Sequence, residues 1–136
     1  MPRVKRLVVP GLPHHITQRG NQGQQVFFGE KDGQHYMEDL VEYAARAETK
    51  ILAFCLMPNH IHLILEPAHE DGLRAALAPV HHRHAMRLNK RDEGGGHIWQ
   101  GRFYSNPMDD RHTIAAKRYV ELNPVRSGLV TKPAAW

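Results

Sequence analysis

The chain has 136 residues, 41% of them hydrophobic, and a formal net charge of +4 at pH 7. This length suits one core of ordinary size and argues against a two-domain enzyme, so we expect a single domain over residues 1–136. The basic balance, with a sequence pI of about 9.5, favours a polyanionic partner such as nucleic acid.

The sequence argues against both membrane insertion and disulfide bonding. Its longest apolar run, residues 51–57, is far shorter than the roughly 20 residues that span a bilayer. Cys55 is the single cysteine and cannot form an intramolecular disulfide, which is typical of a reducing compartment. Because the first residues also lack the pattern of a secretory signal, we expect a cytoplasmic protein.

The predicted elements alternate between strands and helices. Along the chain they are a strand at 14–19, a helix at 32–49, strands at 50–57 and 60–66, a helix at 71–89, a strand at 98–105, and a third helix that Asp109 or Asp110 caps and that runs to about Leu122. This order predicts an α+β fold, a ferredoxin-like (split β-α-β) antiparallel sheet with helices packed on it.

Two histidines near the start of the third strand are candidate metal ligands. Side chains alternate along a strand, so His60 and His62 share one face while Ile61 enters the core. Two neutral imidazoles held at this spacing can bind one divalent cation. A second pair, His82 and His84, falls in a predicted helix, where residues two apart do not face each other.

The third predicted helix carries a candidate nucleophile and a candidate third ligand. Tyr119 and Asn123 are four residues apart, so they lie on one helical face if the helix continues to Asn123. The amide oxygen of Asn123 suits Mg²⁺ or Mn²⁺ beside two imidazoles, and the phenol of Tyr119 is a nucleophile once its proton is removed. Burial of Tyr119 in the core is the competing interpretation, because Ala115 and Leu122 share its stripe.

Four stretches of the chain together resemble the HUH transposases with a single catalytic tyrosine, in the REP-associated tyrosine transposase branch. They are residues 15–21 (His-Ile-Thr-Gln-Arg-Gly-Asn), 56–63 (Leu-Met-Pro-Asn-His-Ile-His-Leu), 99–103 (Trp-Gln-Gly-Arg-Phe) and 118–130 (Arg-Tyr-Val-Glu-Leu-Asn-Pro-Val-Arg-Ser-Gly-Leu-Val). The stretches follow one another in the family's order, and the resemblance extends over nearly the whole chain.

The resemblance implies a bacterial, nucleoid-associated enzyme that nicks and joins single-stranded DNA through a 5′-phosphotyrosine intermediate. It implies a magnesium or manganese site at His60, His62 and Asn123, with Tyr119 as the nucleophile. REP-type DNA hairpins are the implied substrate. Members of this family commonly continue into a Trp-Ser-Ser tail. The resemblance therefore leads us to expect that the sequence lacks a short C-terminal part. The sequence leaves open whether a monomer or a homodimer acts.

Basic and aromatic side chains are the candidates for holding DNA. Trp99, Phe103 and Tyr104 are candidates for stacking on unpaired bases. The candidates for phosphate contact are Arg19, Arg83, Arg87, Arg102, Arg118 and Arg126.

Two other functions stay open at this point. One is a catalytically silent protein that binds hairpin DNA, for example a repressor. The other is a zinc hydrolase that uses His60, His62 and Glu66 with a water nucleophile.

Overall fold

The computed structural model describes residues 6–92, 96–109, 111 and 112. Its elements, in chain order, are β1 (His14–Arg19), a short 3-10 turn (Asn21–Gly23), α1 (Glu30–Arg46), β2 (Thr49–Met57), β3 (His60–Pro67), α2 (Gly72–Asp92) and β4 (Tyr104–Pro107). The two helices and the first three strands lie within three residues of the predicted bounds.

The four strands form one sheet in the order β2-β3-β1-β4, and every neighbouring pair is antiparallel. Strand β3 lies between β1 and β2, which α1 connects, and β1 lies between β3 and β4, which α2 connects. Both β-α-β units are therefore split by a strand of the other unit. The α+β, ferredoxin-like prediction is confirmed.

The main core lies between the sheet and the two helices. Ile16 of β1 and Ile61 and Leu63 of β3 are fully buried there against Leu40 of α1 and Leu77 of α2. Burying a side chain of this size stabilises the fold by about 1.5–3 kcal/mol. Because strand side chains alternate, burial of Ile61 and Leu63 directs His60 and His62 to the opposite face of the sheet.

Ion pairs fasten α1 to α2 at the edge of this core. Arg91 binds both carboxylate oxygens of Asp32, at 2.7 and 3.2 Å. Hydrogen bonding from Arg91 lowers the pKa of Asp32. Asp39 accepts a 2.8 Å bond from Arg87 and pairs with Arg83 at 3.2 Å. Basic side chains near the end of α2 therefore form ion pairs that hold the two helices together.

The strand predicted at 98–105 differs from the structure. Strand β4 begins only at Tyr104, and residues 96–103 form a loop with one isolated bridge between Gly20 and Trp99. Gly101 has φ = +57°, a left-handed conformation that interrupts a strand. The indole of Trp99 turns toward α2, where its N–H donates to the His81 carbonyl at 3.0 Å. The apolar content of this segment did not reveal the left-handed conformation of Gly101 or the bond of Trp99 to α2.

The start of the third predicted helix lies partly within the described residues. Residues 111 and 112 are helical, and the Asp109 carboxylate accepts the backbone N–H of His112 at 2.8 Å, as an N-cap does. The predicted continuation to Leu122 lies outside the described residues.

Neither α1 nor α2 is a membrane-spanning helix. Among the described residues, no helix has both the length and the apolar character needed to cross a bilayer.

Acid should destabilise this fold because histidines are buried in it without charge. Burial lowers the pKa of His81, whose Nε2 lies 2.8 Å from the Tyr36 hydroxyl, to about 3. The unfolded chain takes up this proton below about pH 6.5, whereas the folded chain does not until about pH 3. Protonation of His81 therefore does not reduce the free energy of unfolding above about pH 6.5. Below that pH it lowers the free energy of unfolding by about 1.4 kcal/mol per pH unit.

Urea unfolding between pH 7 and pH 5 will measure this slope. We expect His81→Gln to reduce the slope of stability against pH by about 1.4 kcal/mol per pH unit, the amount for one proton. Tyr36→Phe should lower stability but keep the slope, because the histidine remains. An unchanged slope in His81→Gln would show that His81 does not contribute to it.

Candidate active site at the histidine face of the sheet

We call the side of the sheet opposite the two helices the histidine face, defined by His15, Thr17, His60 and His62. Both ligand candidates lie on it, as the strand alternation predicted. Their ring centroids are 5.0 Å apart, and the ring planes are nearly perpendicular, at 85°. Both side chains are partly buried, so the sheet limits their rotation while leaving them accessible.

The neighbouring Asn59 fixes the orientation of His60. The His60 Nδ1–H donates to the Asn59 side-chain oxygen at 2.7 Å. An amide oxygen only accepts, so this bond assigns the proton to Nδ1 and leaves the Nε2 lone pair for a metal.

His15 of β1 contacts the second candidate ligand. Its Nε2 lies 3.1 Å from His62 Nδ1, and the two rings stack with centroids 5.3 Å apart. One of these nitrogens must carry the proton. If Nδ1 of His62 donates, its Nε2 has the lone pair that metal binding requires, which is the arrangement of a metal-bound histidine supported by a second residue.

Electrostatics keep these histidines neutral. Burial lowers the pKa of His15 and, together with the charge of Arg19, that of His60. Burial, followed by the charges of His60, His15 and Arg19, lowers the pKa of His62 to about 4. An imidazole must be neutral to bind a metal, so the site is in the binding-competent charge state at pH 7.

The turn that precedes His60 is held by the loop that follows β1. The Pro58 carbonyl accepts the N–H of Val26 at 2.7 Å, and the Asn59 carbonyl accepts the N–H of Gly20 at 2.8 Å. A Cβ at Gly20 would overlap the Gln24 carbonyl, so only glycine allows this approach. These bonds fix Asn59, and through it the ring of His60.

The donor set suits a divalent cation but is incomplete in the described part of the chain. Within residues 6–92, 96–109, 111 and 112, no group of three or more His, Cys, Asp or Glu side chains is placed to hold a metal. Glu66 is not brought to the pair and lies 3.7 Å from Lys50, which removes the geometric support for the zinc hydrolase interpretation. The candidates Tyr119 and Asn123 lie outside the described residues.

The predicted phosphate contacts fall in different environments. Arg19 is exposed and lies opposite His60 in the β1–β3 register, and Arg102 is exposed in the loop 96–103. Arg83 and Arg87 share Asp39, with 54% and 28% of their side chains exposed, so only part of each faces solvent. Arg118 and Arg126 lie outside the described residues.

The second histidine pair separates as its helical spacing predicts. His84 is 1% exposed, and its Nε2 donates to the Val26 carbonyl at 2.6 Å, whereas His82 is exposed. The pair has no common face and is not a metal site.

Sequence reasoning missed His15. The signal was present, because β1 alternates as β3 does and the ferredoxin-like strand order makes the two strands neighbours. That order places His15 beside the histidine pair, although spacing in one strand could not show it.

The chain is similar in sequence to a known protein family and to a known protein. A family model described as "Transposase IS200 like" matches residues 8–123. A Haemophilus influenzae protein assigned as a REP-associated tyrosine transposase is 28% identical in an alignment of 99 positions that covers 62% of this chain and 54% of that protein. The chain thus spans about half the length of that relative.

Solved structures share the fold. A REP-associated tyrosine transposase bound to a REP hairpin superimposes with a TM-score of 0.69 and 20% identity, over 100% of this chain and 80% of the other. A protein of Deinococcus radiodurans assigned as a transposase gives a TM-score of 0.59 at 20% identity, over 89% of this chain and 96% of the other. The family match covers most of the chain and confirms the resemblance found in its motifs: the chain belongs to the IS200-like transposase family.

Proposed function

We propose that the protein nicks and joins single-stranded DNA beside REP-type hairpins, with a divalent metal and a 5′-phosphotyrosine intermediate. The observation that carries this proposal is the pair of neutral imidazoles on one face, with His60 Nδ1 bound to Asn59 and His62 Nδ1 bound to His15. With the proton of His62 on Nδ1, Nε2 would be the metal-binding nitrogen of both rings. Family membership supports DNA as the substrate, and a relative of the same fold has been solved bound to a REP hairpin.

His60, His62 and the amide oxygen of Asn123 would hold Mg²⁺ or Mn²⁺. When bound, the cation would polarise a phosphate oxygen and offset the negative charge that develops during transfer. Imidazoles that are fixed in orientation and already neutral lose little conformational freedom and release no proton when they bind it.

Tyr119 would act as the nucleophile. Its hydroxyl oxygen forms a bond to phosphorus as the bond from phosphorus to the 3′ oxygen breaks, which releases a 3′ hydroxyl and leaves the 5′ phosphate on the tyrosine. Attack by a 3′ hydroxyl on this ester reverses the step, so strands can be joined without ATP. The positive charges of Lys117 and Arg118 would favour loss of the phenol proton.

DNA phosphates would be held on the basic side chains around this site. Arg19 lies opposite His60 in the register, so a phosphate there is close to the proposed metal ligands. Arg102 extends the basic surface in the loop that precedes β4. Arg83 and Arg87 lie on α2, on the other side of the sheet, so with the charge that Asp39 does not neutralise they would contact only DNA that reaches the helices. Arg118 and Arg126 complete the proposed set.

A denaturing gel tests the assigned nucleophile. A labelled hairpin oligonucleotide with a single-stranded flank, incubated with Mn²⁺, should give a covalent adduct on its 5′ phosphate side. Tyr119→Phe should abolish this adduct, and EDTA should abolish cleavage while sparing most binding, since basic contacts do not require the metal.

The other outcomes of this gel are also informative. An adduct in Tyr119→Phe would contradict the assignment. Gel retardation without an adduct, across several metals and hairpins, would instead support the catalytically silent hairpin-binding protein.

Metal titration tests the role of His15. His15→Phe keeps a ring beside His62 but removes the nitrogen, so Mn²⁺ affinity measured by calorimetry should fall about 10- to 100-fold. Thr17→Val is the matched control, because Thr17 is the β1 residue paired with His62 in the register, and it should bind Mn²⁺ normally. Equal affinities in the two variants would refute a role of His15 in orienting the ligand.

A further inference from the structure

A large cavity lies between α2 and the loop 96–103. It has a volume of about 560 Å³, within the roughly 300–1,000 Å³ of ligand pockets. Three arginines line it, Arg6, Arg74 and Arg102, and among the described residues no Asp or Glu does. Asp71 pairs with Arg74 at 2.9 Å from outside the lining, which leaves Arg6 and Arg102 as its main positive charges. This charge suits an anionic ligand.

Arg6 and Arg102 lie close enough to repel each other. Burial, followed by the charge of Arg102, lowers the pKa of Arg6. An anion between the two guanidinium groups would relieve this repulsion, and arginine binds phosphate well because its planar group offers several parallel donors.

Two aromatic rings, those of Trp99 and Phe103, line the same cavity. Hydrogen bonding of the Trp99 indole N–H to the His81 carbonyl fixes that ring. The Arg6 guanidinium lies 3.6 Å from the centre of the Phe103 ring and donates to the Phe103 carbonyl at 2.9 Å. The Trp99 ring, and the face of Phe103 that Arg6 does not cover, are surfaces on which a nucleobase can stack at little cost in side-chain entropy.

The loop that carries these rings is attached to the end of β1. Ile98 accepts the N–H of Asn21 at 2.8 Å, and the Gln100 N–H donates to the Arg19 carbonyl at 2.9 Å. The cavity is therefore built on the same strand as the histidine face.

A smaller groove lies beside the large cavity, at the end of β1. Its volume is about 160 Å³, and its lining consists of Thr17, Gln18, Arg19, Gln100, Arg102 and Tyr104. Gln18 and Arg102 also line the large cavity, whereas Thr17 and Arg19 lie opposite His62 and His60 in the register. The groove therefore shares two residues with the large cavity and contains two β1 residues that pair with His60 and His62.

We propose that the large cavity binds one unpaired nucleotide of single-stranded DNA, with its base against Trp99 or Phe103 and its phosphate on Arg6 and Arg102. The groove then leads the adjoining strand toward His60 and His62. This inference rests on the proposed function for the identity of the polymer, and it assigns the nucleotide a site apart from the reacting phosphate.

Tryptophan fluorescence tests the proposal without catalysis. The chain has two tryptophans, so in a Trp136→Phe, Tyr119→Phe background Trp99 is the single emitter. Titration with a short oligothymidylate in EDTA should quench this emission to saturation. Adding Arg102→Ala or Phe103→Leu should weaken the affinity at least about fivefold, because each removes a contact to the same nucleotide.

Arg46→Ala is the matched control, because Arg46 is an exposed arginine of α1 that pairs with Glu42, outside the cavity. It should bind the oligonucleotide as the background variant does, and circular dichroism will confirm that each variant is folded. Equal losses in Arg46→Ala and Arg102→Ala would overturn the proposal in favour of unspecific charge attraction. Absence of quenching would overturn it directly, as would equal competition by inorganic phosphate.

These results are independent of the gel that tests the proposed function. Adduct formation by the wild-type chain with no response of Trp99 would reject the nucleotide site and leave the enzyme assignment in place. A saturable response of Trp99 with no adduct under any metal would support the nucleotide site and reject the enzyme assignment.

Discussion

The pairing of β1 with β3 at the centre of the sheet is the constraint on which the site depends. Its register places Arg19 opposite His60 and Thr17 opposite His62. On one face this pairing joins Ile16 to the apolar residues of β3, and on the other it brings His15 to His62. A single set of backbone hydrogen bonds therefore aligns the core and the candidate metal ligands together.

Positive charge has two separate uses in this chain. Arginines at the end of α2 are largely balanced by carboxylates of α1, as the pairs of Asp39 and Asp32 show. Around the large cavity the lining contains Arg6 and Arg102 and, among the described residues, no carboxylate. A count of basic residues therefore does not identify a nucleic-acid surface. The location of the compensating carboxylates separates structural arginines from those suited to a ligand.

The sequence predicted the regular parts of the fold because their signals are local. Alternating apolar residues fixed the strand carrying Ile61, and the turn residues Pro58 and Asn59 marked its start. Strand β4 was misplaced because its start depends on the left-handed conformation of Gly101 and on the bond of the Trp99 indole to the His81 carbonyl, which joins residues 18 positions apart. The partnership of His15 with His62 escaped for the same reason, since it joins residues 47 positions apart.

The short turn at Pro58 and Asn59 also limits which sequence changes the chain can accept during evolution. Both carbonyls of the turn are bound by the loop after β1, so the turn cannot absorb an extra residue. An insertion there would slide β3 by one place, exchanging the imidazoles with the apolar side chains between the two faces. A change of length at this turn would therefore displace the candidate metal ligands and the core residues of β3 together.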